Sequence, residues 1–161
     1  MSYLLSNIPF VSSLILFVNI GHTLLLVKKR VPAALFLVCT LLGIWLGSYG
    51  KELDPTEYVI PLALVALGLF VALQIELTMV GFALMAMVVG FFNGHDMGLH
   101  LSYSIPFSSF MTYVTVYGII VMLITEKLIP YIIRSYGLKL IGSVACILGI
   151  YLFISNRLGQ Y

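Results

Sequence analysis

Long apolar runs separated by short polar breaks make up nearly the whole chain. Residues 58–92 show the pattern best. They contain Gln74, Glu76 and Thr78 as polar residues, and are otherwise almost wholly apolar. A single helix over that stretch would be roughly 52 Å long at ~1.5 Å per residue. A bilayer core is only ~30 Å thick. The stretch is therefore predicted to cross a membrane twice, turning tightly at Gln74-Ile75-Glu76, with Glu76 at the interface opening the second crossing. Applied along the chain, the same reasoning predicts six spans, at about residues 8–27, 31–47, 58–74, 77–92, 106–133 and 138–155. Pro9 and Pro32 fall in first turns, where a missing N–H costs nothing. Pro130 is expected to kink the end of the fifth span.

The basic residues test the count. With six spans, Lys28, Lys29, Arg30, Lys127, Arg134 and Lys139 share one face, and Lys51 and Arg157 share the other. That asymmetry predicts an inside for the first face and both termini outside. It also puts Asp54, Glu57, His95, Asp96 and His100 on the outer face. Trp45, Tyr49, Tyr58, Tyr103, Tyr131 and Tyr136 flank the spans as interfacial anchors. The expected fold class is all-α, an integral membrane six-helix bundle forming one transmembrane domain.

Composition agrees. The chain has 161 residues, 61% hydrophobic and 9% charged, with mean hydropathy +1.13. Soluble domains run about 45–50% apolar and about 25% charged. The length leaves no room for a soluble catalytic module, and MSYLLSN lacks the basic start of a cleavable signal peptide. Cys39 and Cys146 fall mid-span, as small packing residues or, less simply, paired thiols. Small residues recur at packing intervals, Cys39, Gly43 and Gly47 in the second span and Gly142, Cys146 and Gly149 in the sixth. Such stripes let helix backbones approach closely, inside the bundle or across a dimer.

Candidate chemistry is concentrated after the fourth span. In NGHDMGLH, His95, Asp96, Met97 and His100 offer N, O and S donors within six residues. Imidazole with carboxylate suits nickel, cobalt, zinc or copper, and thioether favours Cu(I). The stretch 93–104 is expected to be a loop, with Gly94 and Gly98 letting it fold around an ion. The same residues also suit a polar cap on two helices. Glu57, at the head of the third span, is expected near His95 and Asp96, because the spans are joined by a few residues and end at similar depth. Glu57, His95, Asp96 and His100 are thus the predicted metal set. Asn19 and His22 share a face of the first span. Ser108, Thr112 and Thr115 form a stripe in the fifth, suited to helix–helix hydrogen bonds or a solute path. No Ser/His/Asp arrangement, HExxH motif or phosphate-cradling glycine loop is present, so an enzyme is not expected. The run Lys28-Lys29-Arg30 reads as a topology signal, not a nucleic-acid site.

Glu57, Ile60 and Gly68, then Phe92, Gly94 and Gly98 in FNGHDMG, resemble in register the HupE/UreJ family of small bacterial membrane proteins. In that family a Glu, an Ile and a Gly precede a Phe-His-Gly-x-Ala-His-Gly signature. The resemblance implies six or seven spans, a multi-pass place in the bacterial inner membrane, and uptake of nickel or cobalt. The two signature histidines are Asn93 and Met97 here, and His95 fills the variable middle position. The His-Pro and Asp-His motifs of the family's first helix are replaced by Asn-Ile-Pro at 7–9 and Ser-Ser at 12–13, and the fifth-span histidine is missing. Two functions are expected from this. One is a small permease for a divalent cation such as nickel or cobalt. The other is a non-transporting subunit that stabilises a multisubunit membrane complex. Partners implied are the lipid bilayer and a membrane-protein partner or second copy, with no nucleic acid.

Overall fold

A computed structural model describes residues 31–50, 56–75, 78–101, 106–132 and 135–158. Among them are five α-helices and no strand: α1 Val31–Gly47, α2 Thr56–Leu73, α3 Met79–Leu99, α4 Phe107–Ile132 and α5 Ser135–Leu158. The first predicted span with Asn19 and His22, the segment 51–55, Glu76 and Tyr103 lie outside the described residues. So do the side chains of Glu57, Tyr131 and Tyr136.

Local chemistry explains where the helices stop and start. At the end of α2 the Gln74 N–H donates to the Val71 carbonyl at 3.3 Å, and the Ile75 N–H to the Phe70 carbonyl at 3.0 Å. This pair of bonds needs a left-handed residue, usually glycine, and Gln74 takes that conformation at φ 53°. Thr78 then caps α3, its Oγ1 accepting from the Gly81 N–H at 3.3 Å. α2 thus stops at Gln74 and α3 starts after Thr78.

Two helix pairs dominate the packing, α1 with α3 and α2 with α5. Although α2 and α3 are joined by a short link, each packs more extensively on another helix. Along the first pair, Phe36 meets Gly90, Thr40 meets Gly94 and Ile44 meets Gly98, so the helices run parallel. Along the second, Gly149 meets Pro61 and Val65, while Gly142 meets Gly68 and Ala72, so the helices run antiparallel. Glycine makes both approaches possible. A Cβ at Gly90 would lie 2.5 Å from the Phe36 carbonyl oxygen, and one at Gly68 2.7 Å from the Cys146 nitrogen. The small-residue stripes are therefore used for packing within the chain. Cys146 adds a thiol that donates to the Val65 carbonyl at 3.3 Å, and both cysteines are free.

Larger apolar residues fill the space between the pairs. Phe36, Leu64, Leu67, Phe82 and Ala86 form the main core, and Ile44, Met97, Phe110 and Val114 a second one beside α4. Outward-facing residues are also apolar: Val116, Ile119, Ile120 and Leu123 along α4, and Leu140, Val144, Ile147 and Ile154 along α5. Small residues inside and large apolar residues outside are the arrangement expected where lipid, not water, is the solvent. Met79–Leu99 and Phe107–Ile124 are long and apolar enough to cross a membrane, and the other three helices carry apolar segments of 10–17 residues.

Candidate functional site

The predicted loop 93–104 is corrected by the structure. Residues 93–99 are the last two turns of α3, and the helix ends at the cap residue His100. Tight packing carries the helix through this polar sequence. A Cβ at Gly94 would sit 2.7 Å from the Thr40 carbonyl carbon, and one at Gly98 would be 3.0 Å from Gly47 Cα. Gly94 and Gly98 therefore seat α3 on α1. They do not bend a loop around an ion. On the α1 side, a Cβ at Gly43 would approach the His95 nitrogen to 2.7 Å, and one at Gly47 would strike the His95 carbonyl. Thr40 lies in this seam with its hydroxyl donating to its own helix, at the Phe36 carbonyl 2.8 Å away.

The polar residues fall on different sides of this seam. Asn93 and Met97 are buried, four residues apart, with Asn93 Nδ2 donating to Met97 Sδ at 3.8 Å. Met97 also packs against Ile44, Phe110 and Val114. The Asp96 and His100 side chains meet near the helix end, His100 Nδ1 being 3.6 Å from Asp96 Oδ1. They are 24% and 66% exposed. His100 Nδ1 is also 2.9 Å from the Asp96 carbonyl. A carbonyl can only accept, so the hydrogen sits on Nδ1, and in the neutral ring the Nε2 lone pair is left for a proton or a cation.

His95 is different. It is 1% exposed, and its ring stacks on Phe91 with centroids 6.5 Å apart at 28°. Its Nδ1 is buried and has no hydrogen-bond partner among the described residues. Leaving such an atom unsatisfied costs about 1–3 kcal/mol. One residue is a rotation of about 100° on a helix, so the His95 ring and the Asp96–His100 pair leave α3 in different directions. No group of three His, Cys, Asp or Glu side chains that could hold a metal ion occurs among the described residues. Of the predicted metal set, the structure brings Asp96 and His100 together, buries His95 nearby, and carries Glu57 in the first turn of α2.

Two hydroxyls of the α4 stripe have their donor bonds within the helix. Thr112 donates to the Ser108 carbonyl at 2.9 Å and Thr115 to the Met111 carbonyl at 2.8 Å. These two hydroxyl hydrogens bond back along their own helix. What the sequence reading missed was the role of Gly90, Gly94 and Gly98. Their strict spacing of four was the available signal.

Apolar helices joined by glycine seams, with a few donors gathered at one helix end, define a helical membrane protein. The family model described as HupE / UreJ protein matches residues 13–152, and the chain belongs to the HupE/UreJ family. These are membrane proteins related to nickel and cobalt transport, a transporter type and not an enzyme type. No curated protein matches the chain, and no solved structure does. The positions that first suggested the family have packing roles here. Ile60 is buried, Gly68 lies against Gly142 and Cys146, and Gly94 and Gly98 lie against α1.

Proposed function

We propose that this protein is a small multi-pass permease that takes a divalent cation, nickel or cobalt, from the outer face of the bacterial inner membrane. Membership of the HupE/UreJ family across residues 13–152 carries this reading. Helix directions support the multi-pass part. The parallel pair α1 and α3 and the antiparallel pair α2 and α5 have the senses required if each helix reverses the one before it. Such a path, with one more span before α1, makes the six-helix bundle with both termini outside. Asp96 and His100 are then outer-face ligands, His95 a deeper one, and Glu57 the carboxylate that α2 adds from its first turn. Borderline divalent ions suit imidazole and carboxylate together.

One observation favours a second reading, a membrane subunit that stabilises a complex without transporting. The two signature positions hold Asn93 and Met97, buried and bonded to each other. Nickel and cobalt uptake by the purified full chain in proteoliposomes separates the two. The permease reading expects saturable uptake that is lost when Asp96 and His100 are both changed to Ala. Uptake no greater than that of empty vesicles, for both ions, leaves the subunit reading.

A further inference from the structure

We infer that the adjoining ends of α4 and α5 bind an anionic phospholipid, with Lys127 and Lys139 holding its phosphate and an apolar stripe beside each lysine receiving an acyl chain. The inference rests on the alternation of helix directions proposed above and is independent of what the protein carries.

Three observations carry it. The first is where the two lysines fall. α4 ends at Ile132 and α5 begins at Ser135, a separation of at most ~11 Å over three residues. Lys127 lies five residues before the end of α4, and Lys139 four residues after the start of α5. α4 runs opposite to α1: Phe110 and Val114, near its start, pack with Ile44 near the end of α1, and Tyr117 and Val121 reach the core that holds Phe36. With each helix reversing the one before it, the two lysines stand at nearly one depth, on the cytoplasmic side. The second observation is that both are free to meet an anion. Lys127 and Lys139 are exposed, and neither has an ion-pair partner among the described residues, where the pair is Asp96–His100. Glu126 precedes Lys127 by one residue, and sequence neighbours do not face each other on a helix. Arg134 adds a third basic residue to the sequence between the lysines.

The third observation is the apolar surface beside each lysine. Val116, Ile120 and Leu123 are exposed and share a helix face with Lys127. Ile147 and Ile150 are exposed and share a face with Lys139. From lysine to last residue each stripe covers eleven residues, or ~16 Å at ~1.5 Å per residue. That is about half of a ~30 Å hydrocarbon core, the depth of one leaflet. α4 packs on α1 and α5 on α2, and α4 and α5 do not form an extensive pair among the described residues. Their exposed stripes are thus left to lipid. A neutral lipid would satisfy the stripes alone, whereas two unpaired ammonium groups select a negative headgroup. Basic residues gathered between helices on the cytoplasmic side are the arrangement that recognises acidic lipids.

The test uses the delipidated full chain in maltoside micelles. The thermal midpoint is followed as dioleoyl phosphatidylglycerol is added, with dioleoyl phosphatidylcholine as the neutral lipid. A ligand of the folded protein raises the midpoint with its concentration, so each titration yields an apparent affinity. Phosphatidylglycerol should bind the wild type more tightly than phosphatidylcholine. Lys127→Gln and Lys139→Gln should each weaken phosphatidylglycerol roughly 5-fold, the equivalent of ~1 kcal/mol per basic residue near an anionic surface. Lys127→Arg should keep the affinity. Arg157→Gln removes a charge at the far end of α5 and should leave it unchanged. Should a glutamine variant fail to fold, salt gives a second reading on the wild type: the preference for phosphatidylglycerol should shrink in about 0.5 M NaCl. Equal affinity for the two lipids overturns the inference, as does wild-type affinity in both glutamine variants or a preference untouched by salt. An equal loss in Arg157→Gln would mean attraction to bulk charge and overturns it too. Inorganic phosphate raising the midpoint as far as the lipid would mean a free-anion site and no lipid site. Absence of Ni2+ and Co2+ uptake sinks the permease reading and leaves these outcomes to be judged separately.

Discussion

Replacing Gly94 by alanine should separate α1 from α3. The added Cβ would strike the Thr40 carbonyl oxygen and would lie 2.7 and 2.8 Å from the Thr40 carbonyl carbon and Cα. All three are backbone atoms, so no side-chain rotation relieves the overlap. The helices must move apart by about 0.5–1 Å, and a gap of that size forfeits a quarter to a half of each contact along the seam. Overpacking usually costs about 1–3 kcal/mol, and the upper end is expected where backbone meets backbone. Gly81→Ala, on the same helix, supplies the control. Among the described residues its Cβ would meet Thr78 Oγ1, at 3.2 Å, a side-chain atom that can give by a few tenths of an ångström at some cost to the cap. Alanine there gains up to about 1 kcal/mol of helix propensity, offset by any loosening of the Thr78 cap, for a net change near zero. The two variants should therefore differ by roughly 2–3 kcal/mol. Reversible unfolding in mixed micelles, followed by helicity, gives the difference. Equal stability of Gly94→Ala and Gly81→Ala would falsify the seam. If Gly94→Ala matched wild type in stability but lost cation binding, the glycine would belong to an ion site after all.

Two further outcomes are expected. Gln74→Gly should stabilise the protein by about 1 kcal/mol in the same unfolding assay, because Gln74 holds a left-handed conformation at φ 53° that glycine adopts without a Cβ penalty; a lower midpoint would mean that the Gln74 side chain makes a compensating contact. For topology, a cysteine placed at Gly159 should react with an impermeant thiol reagent in intact cells, and one placed at Ser135 should not, the reverse pattern refuting the orientation with both termini outside.

The helical part of the fold was readable because the solvent simplifies the pattern. In lipid, a run of about 17–25 apolar residues has few alternatives to a helix. Val31–Gly47 matches its predicted span, and α2, α4 and α5 fall within a few residues of theirs. The error at 93–104 has a definite cause. Asn, Gly, His and Asp clustered together are the usual marks of a loop, yet the glycines at 90, 94 and 98 match a complementary surface on α1. That surface comes from a helix separated by some fifty residues in sequence, and no local signal reports it. The α4 hydroxyls show a different limit. Their shared face was read correctly, but Thr112 and Thr115 find acceptors one turn back on their own helix. A local bond is available before any neighbour arrives, so periodicity alone does not name the partner.

The candidate site was harder to read because packing and chemistry alternate residue by residue on the same two turns. Gly94 and Gly98 must stay small for α1 to approach. Asn93 and Met97 flank that seam on one side, where they bond to each other beside Phe110 and Val114. His95 flanks it elsewhere, buried with its Nδ1 unpaired among the described residues, and Asp96 and His100 turn outward. A change at 93 or 97 can therefore alter the donors without disturbing the seam, while a larger residue at 94 or 98 disturbs the seam first. This separation explains how the family frame is kept while Asn93 and Met97 occupy the signature histidine positions. The frame reports how α1 and α3 pack. It leaves the side chains between the glycines free to differ, and among those the buried His95 Nδ1 has no hydrogen-bond partner among the described residues.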